Sequence, residues 1–499
     1  MQMPFAVPED LIARAIRGVQ STAPRLLPAD PGLQACVDNV EAAAKWISSV
    51  VNATFTPSRE EVVAASKPGS GVRPVAIWDL PSRVLFRALT DKIAVALPPL
   101  ERGAEQWKAF KWSPLKVDCR YIVTTDITSC YQYIDHALLA EELHVQGGDH
   151  QSVEAVVHLL AEIGSRSYGV PQQSWASDVL AEAFLDKIER ALIRRGVQVT
   201  RYNDDFRFAC ASWSKAVEAI ELFADIARQH GLAMNDQKTF TWKRATYEQS
   251  LVEMQEQRTA ITDEVGFGAW TEADYEEAMS RLFTPTAVQN KGAAKLLHLW
   301  RTGARRTNHA RRPSARQRAL AELLPEALRT LTSPNDPGDE EIKDALQVLR
   351  YARHQTPQLA AYLASKPASA VLQEAFGDLL QRRAYLNSWQ TWWMLTSLAG
   401  KPGFTTGRSG RVRSSWLQRA KDATSPAGIV GANAALAMSR LGEVDLEHLM
   451  RMYDRASATV RPTIVAAIAR ANPPTNIRRS IEQESRLHKL VWEREVQGG

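Results

Sequence analysis

Cysteine is scarce: Cys36, Cys119, Cys130 and Cys210 are the only four in 499 residues. None forms a CxxC pair or stands near a histidine at zinc-ligand spacing. Three lie in apolar, strand-like surroundings, and they read as small buried side chains in a reducing compartment. Long apolar runs are missing too. No window reaches the ~18 uninterrupted apolar residues of a membrane span. Residues 1–10 lack a basic segment followed by an apolar core, so no signal peptide is expected and the expected location is the cytoplasm. Neither charge sign dominates: 61 Lys and Arg against 56 Asp and Glu leave a net +5, with a pI near 8.9. That mild basicity is compatible with a phosphate-bearing partner without demanding one.

What is present is the composition of a globular protein, 45% hydrophobic and 23% charged. The length suggests about two to four domains. Residues 1–60 read as amphipathic helices broken at Ala23-Pro24 and Asp30-Pro31. Residues 61–118 mix a Gly/Pro loop (67–71) with a helical run over 81–97. Between 119 and 243 the order is clear: an apolar strand at 121–127, helices ending near Arg194, strands at 197–202 and 206–210, a helix at 214–230, and a strand at 238–242. Ser214 is the expected N-cap of that last helix, and Gly231 its terminating glycine. The β-α-β-β-α-β order is a split βαβ arrangement, which sets the end of the first strand beside the central hairpin. From about 270 helical patterns take over, including a small-residue helix at 432–441 stopped by Gly442. A degenerate helical repeat is expected there, without a strict period. The arginines 305, 306, 311, 312, 316 and 318 crowd around Pro313. Arg305, Arg306, Arg311 and Arg312 read either as a solvated linker or as contacts to nucleic acid.

Three carboxylates carry the chemistry. Asp126 ends an apolar strand, and Asp204 and Asp205 share a hairpin tip. A charge straight after an apolar strand costs stability unless it is used, and adjacent aspartates in a tight turn repel each other. A divalent cation resolves both problems, because magnesium takes carboxylate and phosphate oxygens. Two such ions about 4 Å apart can activate an attacking hydroxyl and stabilise leaving pyrophosphate. Taken alone, Asn203-Asp204-Asp205 is equally an ordinary turn.

Five segments in order change that balance. Tyr202-Asn203-Asp204-Asp205 resembles the YxDD motif of reverse transcriptases. The stretch Asp126-Ile127-Thr128-Ser129-Cys130-Tyr131, with Ile134 and His136 downstream, resembles their motif A. Gly169-Val170-Pro171-Gln172-Gln173, with Ser177 after it, resembles motif B. Residues 231–239 resemble motif D, and Lys67-Pro68-Gly69-Ser70-Gly71-Val72-Arg73-Pro74 the fingers segment. The resemblance covers roughly residues 60–245. It implies an α+β fold of right-hand palm and fingers over 61–250, preceded by a helical segment 1–60 and followed by an all-α, HEAT-like repeat domain over 270–499.

By that resemblance Asp126, Ile127, Asp204 and Asp205 hold two Mg²⁺, with Mn²⁺ as the alternative ion. Lys67 and Arg73 meet the triphosphate, a task that suits basic groups on a Gly-rich loop; solvated surface charge is the plainer reading. Tyr131 matches the ring that excludes a ribose 2′-OH, or is simply a buried aromatic. Gln172 lines the nucleotide pocket, and Lys238 approaches the pyrophosphate or caps a strand end. Three departures stand out. The second motif B glycine is Gln173, whose side chain should crowd the template or the backbone turn. The usual aromatic after Ser129 is Cys130, and no thumb is recognisable.

Palm, fingers and a helical domain together resemble the bacterial defence-associated and abortive-infection reverse transcriptases. That implies dNTP substrates, a single-stranded DNA product, action against phage and homo-oligomeric assembly. In some members synthesis is protein-primed and untemplated; Tyr351, Tyr362, Tyr385 and Tyr453 are candidate primers. RNA-templated copying is the first alternative. A catalytically idle palm acting as a binding module is another, and an RNA polymerase or nucleotide cyclase a third. Trp389 and Trp393 fall on one helical face, for core packing or for base stacking.

Overall fold

In the run Tyr121–Asp126 five of six residues are buried, on both faces of the strand, as suits the centre of a sheet rather than an edge. In the computed structural model the described residues are 5–22, 26–68, 71–266, 287–307, 313–332, 339–366, 369–372, 374, 386–398, 428–440, 442 and 445–497. Three helices open the chain: α1 (Glu9–Ser21), α2 (Pro31–Asp38) and α3 (Val40–Asn52). A hairpin follows, β1 (Glu61–Ser66) paired antiparallel with β2 (Val72–Ile77). Helices α4 (Leu80–Ala94) and α5 (Ala104–Trp112) lead to β3 (Tyr121–Asp126). Next come α6 (Cys130–Tyr133), α7 (His136–Val145), α8 (His150–Gly164) and α9 (Trp175–Arg194). The sheet is completed by β4 (Gln198–Tyr202), β5 (Asp205–Cys210), α10 (Trp213–Gln229) and β6 (Phe240–Lys243).

The four strands lie in the order β4-β5-β3-β6, and every pair is antiparallel. Phe206 and Phe208 of β5 point to one face and meet Phe223 of α10, with ring centroids 4.7 and 5.6 Å away. Each such buried ring contributes roughly 1.5–3 kcal/mol by leaving water. Val123 joins this large core, whereas Ile122 turns to the opposite face and packs with Cys119 and Tyr247. All four cysteines are buried and free. The N-cap of α10 is Ser212, not Ser214: Ser212 sits in extended backbone (φ −143°, ψ 165°) and accepts from the N–H of Lys215. Ser214 already lies inside the helix, where its hydroxyl cannot reach the orphan donors of the first turn. Gly231 ends that helix at φ +73°.

Helix α11 (Arg244–Val265) leaves β6 directly. Beyond it the described elements are all helical: α12 (Ala287–Thr307), α13 (Ala315–Thr330), α14 (Asp339–Leu346), α15 (Val348–Tyr351), α16 (Thr356–Ser365), α17 (Ser388–Leu398), α18 (Ile429–Arg440), α19 (Leu446–Arg455), α20 (Arg461–Arg470), α21 (Thr475–Glu484) and α22 (Arg486–Gln497). Small residues on α18 and α20, such as Ala432, Ala435 and Ala467, let these two helices approach closely. Arg305 and Arg306 lie in the last turn of α12, with their side chains outside the described residues; Arg311 and Arg312 fall outside them entirely, as does Tyr385. Among the described residues no helix is long and apolar enough to cross a membrane.

The C-terminal helices do not stand apart. Trp389 and Trp392 are buried in the same core as α1–α3 and β1. The indole N–H groups of Trp389 and Trp393 both donate to the Leu26 carbonyl. Trp389 and Trp393 therefore serve packing, and no base could stack on the buried Trp389 ring. Glu61 of β1 accepts from the Ile429 N–H and the Ser457 hydroxyl, each at 3.1 Å. Asn387 donates to Ser66 at 3.1 Å. Trp389→Ala is expected to destabilise the protein by about 3–5 kcal/mol through the cavity it leaves. Trp389→Phe keeps most of the packing and should cost only about 1 kcal/mol more than a neutral change for the lost hydrogen bond. Urea unfolding of the two variants checks the order.

Candidate active site

The register of β3 against β5 sets Asp126 directly opposite Asp205. Tyr202 pairs with Asp205 to close the β4–β5 hairpin, leaving Asn203 and Asp204 as its tip. Asn203 takes the left-handed conformation, φ +55°, that a tight hairpin asks of its first central residue and that asparagine tolerates. The Asp204 carbonyl accepts from the Ile127 N–H at 3.1 Å, tying the tip to the end of β3. Arg201 braces the hairpin from behind. Its buried guanidinium pairs with Glu182 at 2.6 Å and Glu189 at 3.0 Å and donates to the Asn203 carbonyl at 3.2 Å.

The segment after α10 closes the other side. Asn235 N–H donates to the Asp126 carbonyl at 2.9 Å and Thr128 N–H to the Ala233 carbonyl at 2.8 Å. Lys238 lies in a 3-10 turn (Asp236–Lys238) ahead of β6, rather than in the strand. Its ammonium forms an ion pair with Asp126 Oδ2. Burial draws the Lys238 pKa down, but the bond to Asp126 and the charges of Asp126, Asp205 and Asp204 together outweigh it and the net direction is up.

Two of the acids, Asp204 and Asp205, resist ionisation. Burial raises the pKa of Asp204, and the charge of Asp126 adds to it. Asp205 is pushed up to about 6, first by burial and then by Asp204 and Asp126, against the pull of Arg207. Asp126 is buried, and its Oδ1 has no hydrogen-bond partner among the described residues. An orphaned carboxylate oxygen within an all-oxygen donor set fits a hard divalent cation. The three aspartates act on one another electrostatically without their ligand atoms closing on a common point. Among the described residues only His144, His150 and Glu154 bring their ligand atoms all within 4.8 Å of one another.

From the β1–β2 hairpin, Lys67 comes within electrostatic reach of Asp204, Asp126 and Lys238, with Arg73 acting on Lys67. The Lys67 N–H closes the loop onto the Gly71 carbonyl at 2.9 Å. Burial lowers the Lys67 pKa, Arg73 and Lys238 lower it further, and Asp204 and Asp126 oppose them. That set of couplings brings Lys67, Arg73, Lys238 and the acids into one electrostatic neighbourhood. The Nε of Arg73 is buried without a hydrogen-bond partner among the described residues.

Tyr131 is held by a network that sequence reasoning missed. Its hydroxyl donates to Asp178 Oδ1 at 2.6 Å and accepts from Arg102 at 3.1 Å, while Arg102 pairs with Asp178 at 2.8 Å. Burial and Asp178 raise the phenol pKa well above its ordinary value, so it stays a neutral donor. Arg102 lies in a loop and Asp178 one turn into α9; neither carries a local signal. Trp107 and Phe110 of α5 were missed as well, and they pack on the Tyr202 ring with centroids 5.1 and 5.9 Å away.

The motif B turn is stitched to the exit of motif A. Gly169 N–H donates to the Ile134 carbonyl and Val170 N–H to the Tyr131 carbonyl, both at 2.8 Å. The His136 Nε2 lies 2.8 Å from the Gly169 carbonyl, and burial lowers the His136 pKa. Gly169 has φ +90°, and a Cβ there would meet the Gln132 carbonyl oxygen at 3.0 Å. Gln173 has φ +65°, a conformation that favours glycine, so its substitution strains the turn. Gln172 and Gln173 line a cleft with Ala76, Trp78, Arg87 and Trp175.

Residues 65–259 match the family model described as reverse transcriptase (RNA-dependent DNA polymerase). Telomerase from Candida albicans, in complex with a TWJ fragment of telomeric RNA, is 10% identical over 72% of this chain, with a TM-score of 0.31. Apo telomerase from Candida tropicalis is 9% identical over 76% of this chain and 72% of its own, with a TM-score of 0.31. The chain spans about 64% of the Candida albicans protein's length. No curated protein matches it.

An acid whose pKa rises on folding binds its proton more tightly in the folded chain than in the unfolded one. Metal-free protein therefore loses stability as pH climbs from 3.8 through about 6, the range set by Asp205. Asp205→Asn removes that loss. It should raise the urea midpoint of metal-free protein at pH 7.5, and the gain should vanish below about pH 4.

Proposed function

We propose that the chain adds deoxynucleotides to a growing strand at Asp126, Asp204 and Asp205, a reading supported by the match of residues 65–259 to the reverse transcriptase (RNA-dependent DNA polymerase) family model. One observation carries the reading: Lys67, with Arg73 beside it, and Lys238 come within electrostatic reach of an acid cluster in which Asp204 and Asp205 resist ionisation on their own. A pocket of alternating charge suits a triphosphate and its counterions, each sign neutralising the other. Asp126, Asp204 and Asp205, with the Ile127 main chain beside them, would hold two Mg²⁺, or Mn²⁺ in their place. When bound, such ions favour the attacking hydroxyl as its alkoxide and stabilise charge on the leaving pyrophosphate.

The remaining roles belong to the chain. Lys67 and Arg73 orient the triphosphate. Lys238, freed from Asp126, is placed to give a proton to the leaving pyrophosphate, and its raised pKa keeps it charged until then. The Tyr131 ring bars a ribose 2′-OH, because Arg102 and Asp178 hold its hydroxyl and fix the ring in place. Gln172 lines the nucleotide side of the motif B turn.

The finer reading is an antiphage, abortive-infection enzyme of the cytoplasm. It has an N-terminal segment 1–60, fingers and palm over 61–250, and a HEAT-like helical domain over 270–499 that supports a homo-oligomer. Strain at Gln173 favours protein-primed, untemplated synthesis of single-stranded DNA over copying of an RNA template, because that side chain stands where a glycine usually faces the template. Tyr362 and Tyr453 are buried, which leaves half-buried Tyr351 as the more accessible primer of these three. Arg305, Arg306, Arg311 and Arg312 would then guide the product strand.

The test incubates purified protein with Mg²⁺ and labelled dNTPs, with and without primer and RNA template. Label on the protein without template supports protein priming, product only with RNA supports copying, and no incorporation at all leaves a binding scaffold. Asp204→Ala should lower incorporation by at least about 10²–10³-fold, the scale of losing a principal electrostatic stabiliser, with the unfolding midpoint retained. Tyr131→Ala should admit ribonucleotides while Tyr131→Phe keeps them out; equal discrimination by both variants would remove the ring from this role.

A further inference from the structure

Away from the aspartate pocket, the hairpin of α7 and α8 carries a second constellation. His144 lies in the last turn of α7. His150 and Glu154 stand four residues apart at the start of α8, on one helical face. The turn between them is braced. Gly147 adopts φ +86°, Gly148 N–H donates to the Leu143 carbonyl at 2.9 Å, and Asp149 caps α8 by accepting from the Ser152 N–H at 3.0 Å. Both helices pack on each other and α8 also on α4, so the three side chains project from a fixed frame.

Their ligand atoms all lie within 4.8 Å of one another. His144 Nε2 is 3.1 Å from Glu154 Oε1, and the two imidazole rings are 4.6 Å apart. We propose that His144, His150 and Glu154 bind a Zn²⁺-class ion that staples α7 to α8. Two imidazoles and one carboxylate are a donor set for Zn²⁺, Co²⁺ or Ni²⁺ and a poor one for Mg²⁺, which prefers oxygen throughout. The ligands are partly exposed, so water completes the shell. Lys92 is the nearby opposing charge, and Asp149 engages it at 3.1 Å. The protein thus holds two kinds of site, all-oxygen at the aspartates and nitrogen-rich at the hairpin. This inference does not depend on the polymerase reading.

A plain His144–Glu154 ion pair is the competing account, and titration decides. Full-length protein is stripped with chelator and titrated with Zn²⁺ by calorimetry, and with Co²⁺ by visible absorption. The wild type is compared with His144→Ala/His150→Ala and with Asp204→Asn/Asp205→Asn. One Zn²⁺ equivalent should persist in the aspartate variant. In the histidine variant its affinity should fall by at least about 100-fold, since losing even a ligand's supporting partner costs up to that much. The tetrahedral Co²⁺ spectrum and the Zn²⁺-dependent rise in unfolding temperature should go with it. The metal-free histidine variant should unfold at the wild-type temperature and keep wild-type nucleotide incorporation. No tight Zn²⁺ binding by wild type, equal binding by the histidine variant, or loss in the aspartate variant alone would overturn the proposal.

Discussion

One ladder register sets the geometry of the pocket. Because β3 and β5 run antiparallel with Asp126 facing Asp205, the acid at the end of one strand and the two at the hairpin tip share a single rim. A slip of β5 by one residue would turn Asp205 to the other face of the sheet and carry Phe206 and Phe208 out of the core with it. The packing of those rings on Phe223 therefore enforces the spacing of the carboxylates. Charge placement and hydrophobic burial are here one constraint, not two.

The rim is held under electrostatic tension. Three carboxylates and Lys238 occupy partly buried ground, and burial makes Asp204 and Asp205 harder to ionise than free carboxylates. Lys67, from the β1–β2 turn, supplies some of the opposing charge. Arg201, locked by two glutamates, keeps the Asn203 turn from relaxing outward. Preorganisation of this sort is what an electrostatically driven reaction needs, because the dipoles and charges are in place before the substrate arrives.

Much of this could be read in the sequence, since the features with a local signature are those that placed the site. The apolar strand before Asp126, the polar hairpin tip at 203–205 and the glycine after α10 each carry a short-range physical cause. The Ser212 cap was misplaced by two residues because either serine could supply the oxygen, and only the backbone conformation chooses. Arg102, Asp178, Trp107 and Phe110 were invisible for a different reason: nothing near them in the chain marks them, and they meet Tyr131 and Tyr202 only in space. Gln173 was legible as an anomaly, and its left-handed backbone shows why glycine is the easier residue there. The indole bonds from α17 to Leu26 span more than 360 residues of chain and had no sequence signal at all.

Those long-range bonds bear on how the molecule can be cut. Residues on α1–α3 and β1 share one apolar core with Trp389, Ile464 and Val491. A fragment ending at Val265 would strip that cover and lay bare side chains such as Ile47, Val63 and Ala65, which now see no water or almost none. Residues 61–265 are therefore no free-standing module: the apolar faces of α1–α3 and β1 find their cover only when α17, α20 and α22 have docked on them.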